Sequence, residues 1–374
     1  MGYSPPEDFT PRWSARYGAQ TCEIRRVVLA VVHSVAAGER VSAAIRTIER
    51  EPGIQVVFTW PPGPAEELVR DYLAMIGALT TPWERAIRER FDLVITTDPA
   101  ETGILNGALL VLPAVSADGD VVGHSGRRCA TTLAYVFRQR LGRREPMLIG
   151  LPHLWALTRL RASAPQVGRQ ATVIGDPGYD ELLEACHEQA WAHSGRRQGL
   201  VLSTRGPDSL FGRTPAVLQR LVSDLPSQRI SLACRLDPEV WARHGRRQLL
   251  AWAGRSVRER VDFLQPEHDW RAVAAAADFV VGDHGHDTAC AAAAEKPVYL
   301  ANPVPKIEIG PLSEAVAKYG TVLDPKVPLA PQLRWTPRPG TQVVRRITSA
   351  PGESASLLRR ECFRLMRLTG PAFH

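Results

Sequence analysis

No apolar run in the chain approaches the roughly 18 residues that a bilayer-spanning helix needs. Met1 to Gln20 carries prolines and charges where a signal peptide needs an uninterrupted apolar stretch. A helical membrane protein is therefore excluded, and the expected location is cytoplasmic. Lysine is nearly missing: of 46 basic residues only Lys296, Lys306, Lys318 and Lys326 are lysines, so the net charge of +7 rests on 42 arginines. They occur as scattered pairs such as Arg25-Arg26, Arg127-Arg128, Arg196-Arg197 and Arg246-Arg247. A nucleic-acid surface gathers them on one face or interleaves them with stacking aromatics. The expected partners are thus small molecules, and a phosphate-bearing one suits the charge.

Paired cysteines are missing too. Cys22, Cys129, Cys186, Cys234, Cys290 and Cys362 lie far apart, with no C-x-x-C and no zinc-ligand spacing, and read as reduced, mostly buried thiols. There is no G-x-S-x-G elbow and no H-E-x-x-H, so hydrolase readings by motif fail; there is no P-loop, and the missing G-x-G-x-x-G after the first strand counts against NAD or FAD.

What is present is a strand-then-helix rhythm, stated twice. With 374 residues, 44% hydrophobic, the chain exceeds what one core holds and suits two α/β domains. Val27 to Val32 is a continuous β-branched run, as a parallel strand buried on both faces requires, and apolar Val41, Ala44, Ile45 and Ile48 follow at helical spacing. Further strands read at Ile54 to Trp60, Phe91 to Asp98, Ala108 to Leu112, Met147 to Leu151 and Ala171 to Ile174. The polar, basic stretch His187 to Gly199 is the linker candidate. The rhythm restarts at Gly199 to Thr204 and continues at Ile230 to Leu236, Val261 to Leu264, Phe279 to Gly282 and Val298 to Ala301. The expected layout is an N-terminal Rossmann-like domain over 22–190, a second over 196–325, and a closing helix and tail over 340–374, with Ser354 to Leu368 helical.

Three constellations could carry chemistry. Phe279 to Gly282 runs into Asp283, His284, Gly285, His286, Asp287 and Thr288 and then an alanine-rich helix. In an open α/β sheet ligands lie at the carboxyl ends of strands, where a helix N-terminus offers free amides to phosphate. Asp287 or Thr288 would cap that helix; the competing reading is that Asp283 and Thr288 merely cap and turn the chain with the histidines solvated, and a metal held by the H-x-H pair is a further alternative, without a visible third partner. The second constellation is the loop with Ser203, Thr204, Arg205, Gly206, Ser209 and Gly212, whose hydroxyls, amides and arginine fork suit a diphosphate, or which simply connects two elements. The third is His33 after the first strand, a general base toward an acceptor hydroxyl or a structural histidine. His124 and His153 could face the same cleft, but nothing fixes them there.

The segments Val31-Val32-His33-Ser34, Val56-Val57-Phe58-Thr59, Gly175-Asp176-Pro177, Ser203 to Gly212, Pro238-Glu239-Val240-Trp241 and Gly282 to Gly285 resemble a known group. It comprises actinobacterial GT-B-like proteins of unassigned activity, distantly similar to CDP-glycerol glycerophosphotransferases and UDP-N-acetylglucosamine 2-epimerases. The resemblance implies a GT-B-like fold, two Rossmann-like parallel-sheet domains facing a central cleft. It also implies a nucleoside-diphosphate-activated donor bound mainly by the second domain, and transfer with neither an obligatory metal nor a tightly bound cofactor. His33 or His286 would take the acceptor proton. The alternatives are a nucleotide-sugar epimerase or hydrolase on the same fold, or a non-catalytic nucleotide-binding protein. The chain departs from its relatives at Ala114 and at Asp237-Pro238, where the glycerophosphotransferases carry the histidines that look catalytic, and at Ala289-Cys290, where epimerases place a ribose-binding glutamate.

Overall fold

The computed structural model describes residues 23–116, 120–123, 127–189, 196–266, 268–302, 311–333 and 339–368. Cys22 and His124 lie outside the described residues, as do parts of the linker candidate and of the proline-rich tail.

The first lobe carries β1 (Arg26–Val31), β2 (Ile54–Thr59), β3 (Arg90–Thr96) and β4 (Asn106–Val111), a small antiparallel hairpin of β5 (Ala114–Val115) and β6 (Val121–Val122), then β7 (Met147–Leu151) and β8 (Ala171–Val173). Six of these form one parallel sheet in the order β2-β1-β3-β4-β7-β8. The second lobe carries β9 (Arg197–Ser203), β10 (Ile230–Leu236), β11 (Val261–Leu264), β12 (Phe279–Gly282), β13 (Val298–Leu300) and β14 (Thr321–Val322), all parallel, in the order β11-β10-β9-β12-β13-β14. Each central strand is apolar on both faces because helices cover both; Leu29, Ala30, Leu200 and Val201 are fully buried. The strand order reverses between β1 and β3 in one sheet and between β9 and β12 in the other. At such a switch the flanking loops diverge and leave a crevice at the carboxyl ends.

Two apolar clusters flank each sheet, and they show that the chain changes lobe twice. The helix Pro177–Gln189 buries Tyr179 and Leu182 among Leu200, Trp270 and Val280 of the second lobe. Packing thus puts the crossing at Ile174 to Pro177, ahead of the 187–199 linker candidate. The closing helix Ser354–Leu365 returns, burying Leu358, Cys362 and Leu365 against Val28, Leu93 and Leu110 of the first lobe. The two crossings touch. Gly175 has φ +78°, and a Cβ there would stand 2.8 Å from the Ala350 carbonyl, so glycine is required for both conformation and space. Asp180 then accepts from the Gly352 and Ser354 amides at 2.7 and 2.8 Å.

Among the described residues no helix is long and apolar enough to cross a membrane. The five described cysteines are free thiols, and all but Cys186 are buried.

Candidate functional site

In the second lobe the crevice is built around Asp283, 2% exposed. Its Oδ2 accepts from the Thr204 amide (2.8 Å), the Thr204 hydroxyl (2.9 Å) and the Leu210 amide (2.9 Å), and its Oδ1 from the Gly285 amide (3.1 Å). One carboxylate therefore pins the loop after β9 to the loop after β12. The two backbones approach so closely that a Cβ on Gly285 would stand 2.2 Å from the Thr204 side chain.

The cost of that closeness is that most polar groups of the loop after β9 face inward. Ser203 Oγ accepts from the Phe211 amide and donates to the Thr204 carbonyl. Ser209 Oγ caps the short helix Leu210–Arg213 by accepting from the Gly212 amide (3.0 Å) and donates to the Gly206 carbonyl (2.7 Å). A short loop must satisfy its own amides first. Ser203, Thr204, Ser209 and Asp283 thus shape the crevice wall, their side chains bonded within the two loops. Among the described residues the amides of Arg205, Gly206 and Asp208 stay without a protein acceptor. Arg205 itself, the expected diphosphate fork, lies 2.7 Å from Glu239 and 3.8 Å from Asp237 at the start of the Pro238–Ala253 helix. Burial raises the Asp237 pKa, which the Glu239 amide and Arg205 oppose.

The alanine-rich helix runs His286–Ala293, so it already includes Asp287 and Thr288, and its N-cap is Gly285 with no side-chain cap. Asp287 and Thr288 therefore do not cap it. Thr288 turns under the loop, 1% exposed, with its hydroxyl 2.3 Å from where a Cβ on Gly282 would sit. The first intrahelical bond runs from the Ala289 amide to the Gly285 carbonyl, so the amides of His286 and Asp287 open toward the crevice with the positive end of the helix dipole. His284 is partly buried beside them.

His286 leans across the lobe boundary. Its Nε2 lies 2.9 Å from Asp176 at the chain crossing, and Cys290 Sγ lies 3.6 Å from Nδ1. The Cys290 sulfur raises the imidazole pKa well above its usual value, burial opposes, and Asp176 adds to the rise. Burial would raise the Asp176 carboxyl, but His286 and the Tyr179 amide hold it below its ordinary value. With Nε2 held at Asp176, the Nδ1 edge is the one turned toward Cys290.

Three charged residues that the sequence reading passed over complete the crevice. Arg235, at the end of β10 and 4% exposed, donates Nε to Asp287 (2.9 Å) and Nη2 to both oxygens of Glu39 (2.8 and 3.0 Å) in the Val35–Arg46 helix of the other lobe. Next to Glu39 on that helix, Arg40 is exposed to solvent. Among the described residues Arg40 makes no hydrogen bond or ion pair. A signal existed for both: an arginine inside an apolar buried strand, and a Glu-Arg pair in the first helix after the first strand.

At the first lobe's switch point His33 is 7% exposed, and its Nε2 lies 3.3 Å from the Ala100 carbonyl. The Ala100 amide donates to Asp98 (2.8 Å), which is 4% exposed, so His33 and Asp98 hold the same loop. Asp98 is a further residue missed from sequence, where it read as the end of a strand. His153 caps the Leu154–Ser163 helix and bonds the Arg345 carbonyl, so it serves structure. Among the described residues no three His, Cys, Asp or Glu groups could hold a metal ion.

No protein-family model and no curated protein sequence matches the chain. Solved structures do. The chain is similar to the UDP co-structure of S. aureus MnaA (TM-score 0.52, 11% identity, covering 92% of this chain and 98% of that one). It is similar to a protein assigned as a UDP-N-acetylglucosamine 2-epimerase from Listeria monocytogenes (0.51, 14%, 89% and 94%). It is also similar to the wall teichoic acid polymerase TagF (0.52, 11%, 92% and 90%). The shared architecture is the GT-B fold, two Rossmann-like parallel-sheet lobes, as the resemblance implied.

Proposed function

We propose that the protein is a GT-B-type transferase that moves a sugar or polyol phosphate from a nucleoside-diphosphate-activated donor to a small acceptor. The observation that carries this reading is the β9/β12 switch point: open amides at the start of the His286–Ala293 helix, with Arg40 on the Val35–Arg46 helix of the other lobe, next to the Glu39 that Arg235 holds. Amides, a helix dipole and an arginine are what a diphosphate leaving group needs as charge develops on it. They supply that stabilisation without a metal or a tightly bound cofactor. The neighbours add support, since the MnaA structure holds UDP and one TagF variant was soaked with CDPG.

His33 is the proposed base. A carbonyl only accepts, so Nε2 carries the proton toward Ala100 and the lone pair sits on Nδ1. His33→Ala is expected to abolish transfer while nucleotide binding survives; unchanged turnover would remove His33 from the mechanism. A screen of UDP, CDP, GDP, ADP and dTDP with their activated donors names the base and donor group.

The second reading is a nucleotide-sugar epimerase or hydrolase, favoured by the epimerase-type neighbours. Incubation with donor and no acceptor separates the two. Consumption or isomerisation of donor at the full rate selects the epimerase or hydrolase, and binding without turnover across all donors selects a non-catalytic nucleotide-binding protein.

A further inference from the structure

We infer that Arg235 is a positioning residue: by tying Glu39 to Asp287 across the cleft it sets the separation of the two helix starts that carry Arg40 and His286. The inference rests on the reading that a diphosphate occupies the crevice.

The argument starts from burial. An arginine at the end of an otherwise apolar strand, 4% exposed, holds its charge only if its donors are used. Arg235 uses them in opposite directions, Nε toward Asp287 of the second lobe and Nη2 toward Glu39 of the first. Its plane is seated on the Trp270 ring, 5.1 Å from the centroid. Desolvation works against the Arg235 charge, but Asp287 and Glu39 more than restore it. A guanidinium is rigid and planar, so it fixes the distance between the two carboxylates, which the single ammonium point of a lysine does not.

The carboxylates so fixed are sequence neighbours of the proposed ligand contacts. Glu39 precedes Arg40 in the first turns of the Val35–Arg46 helix, and Asp287 follows His286 in the first turn of the His286–Ala293 helix. Helical backbone carries a constraint at one residue to the next. Locking Glu39 and Asp287 to one plane therefore locks the spacing of the two helix starts that carry Arg40 and His286. A buried ion triad contributes little net stability compared with an apolar replacement, so its worth here is geometric. Preorganised spacing saves the ligand the work of assembling its own site.

The test is calorimetric binding of two probes, inorganic pyrophosphate and UDP, to wild type, Arg40→Ala, Glu39→Gln, Arg235→Lys and the double variant Arg40→Ala/Glu39→Gln. Each single variant is expected to weaken pyrophosphate binding about tenfold. The double variant is expected to bind no more weakly than Arg40→Ala alone, because without Arg40 the clasp has nothing to place. Additive losses, as a generally loosened lobe would give, overturn the inference. So does unchanged affinity in Glu39→Gln and Arg235→Lys while Arg40→Ala loses binding, and in that case the reading of the crevice as an anion site stands. A wild type that binds neither probe overturns that reading and the inference with it. Glu39→Gln leaves Arg235 with Asp287 and one acceptor oxygen, so it decides the matter if Arg235→Lys fails to fold.

Discussion

A carboxylate with four donors aimed at it is a bracket before it is a ligand group. Asp283→Ala would strand the buried amides of Thr204, Leu210 and Gly285. With each unsatisfied donor costing about 1–3 kcal/mol, the expected loss is roughly 3 kcal/mol or more, measured from the urea midpoint. A loss below about 1 kcal/mol would mean water replaces the carboxylate and the bracket is dispensable. His286 and Asp176 give a second prediction, in pH. The imidazole is raised above 6.5, so its share of stability is complete below that value and is lost as pH rises through the folded-state value. The carboxyl is lowered from 3.8, so its share is complete above that and is lost as pH falls through the folded-state value. The destabilisation by Asp176→Asn should therefore be greatest near about pH 5.5 and shrink as pH rises past the imidazole midpoint. An imidazole proton shift that titrates below pH 6.5 would contradict it. The position of Asp283 at a strand end was legible in the sequence, but its direction was not. A polar side chain after a strand looks the same whether it faces a ligand or a neighbouring loop, and here the partner lies 79 residues away.

Elements follow the same division. The buried strands were legible because parallel strands covered on both faces leave short, mostly apolar runs, and β7, β10, β11 and β12 begin and end where those runs do. The long helix Pro238–Ala253 was not, because Gly245 stands inside it at φ 72° and breaks the helical period that a reader would follow. The closing helix read correctly as a helix from its apolar spacing, yet spacing does not say which sheet it covers. It covers the first, at the far end of the chain from the strands it packs on. Leu358 is fully buried there, so Leu358→Ala should cost about 2–5 kcal/mol. Hydrogen exchange should quicken in β3 and β4 of the first lobe and stay unchanged in β9 to β13. Faster exchange confined to the second lobe would refute the docking.

At the scale of the molecule, two lobes sharing a chain that crosses between them twice, and a buried arginine clasped to both, should respond to a ligand together. That both lobes exist was legible from the repeated strand-helix rhythm. That they are interleaved was not, since Gly175 meeting Ala350 and Arg235 meeting Glu39 are contacts between distant segments that leave no local pattern. If UDP sits in the crevice of the second lobe, an independent-lobe protein would gain stability in that lobe alone. Here Arg40 follows the Glu39 that Arg235 ties to the second lobe, so the gain is expected to be shared. At 100-fold excess over its dissociation constant UDP adds about 2.7 kcal/mol to the state that binds it. Scanning calorimetry should show one transition moving up as a whole, with Arg40→Ala erasing about half of the shift, as a tenfold loss of affinity implies, although the residue belongs to the other lobe. Two transitions, of which UDP moves one and Arg40→Ala leaves that movement intact, would show that the first lobe takes no part in holding the nucleotide.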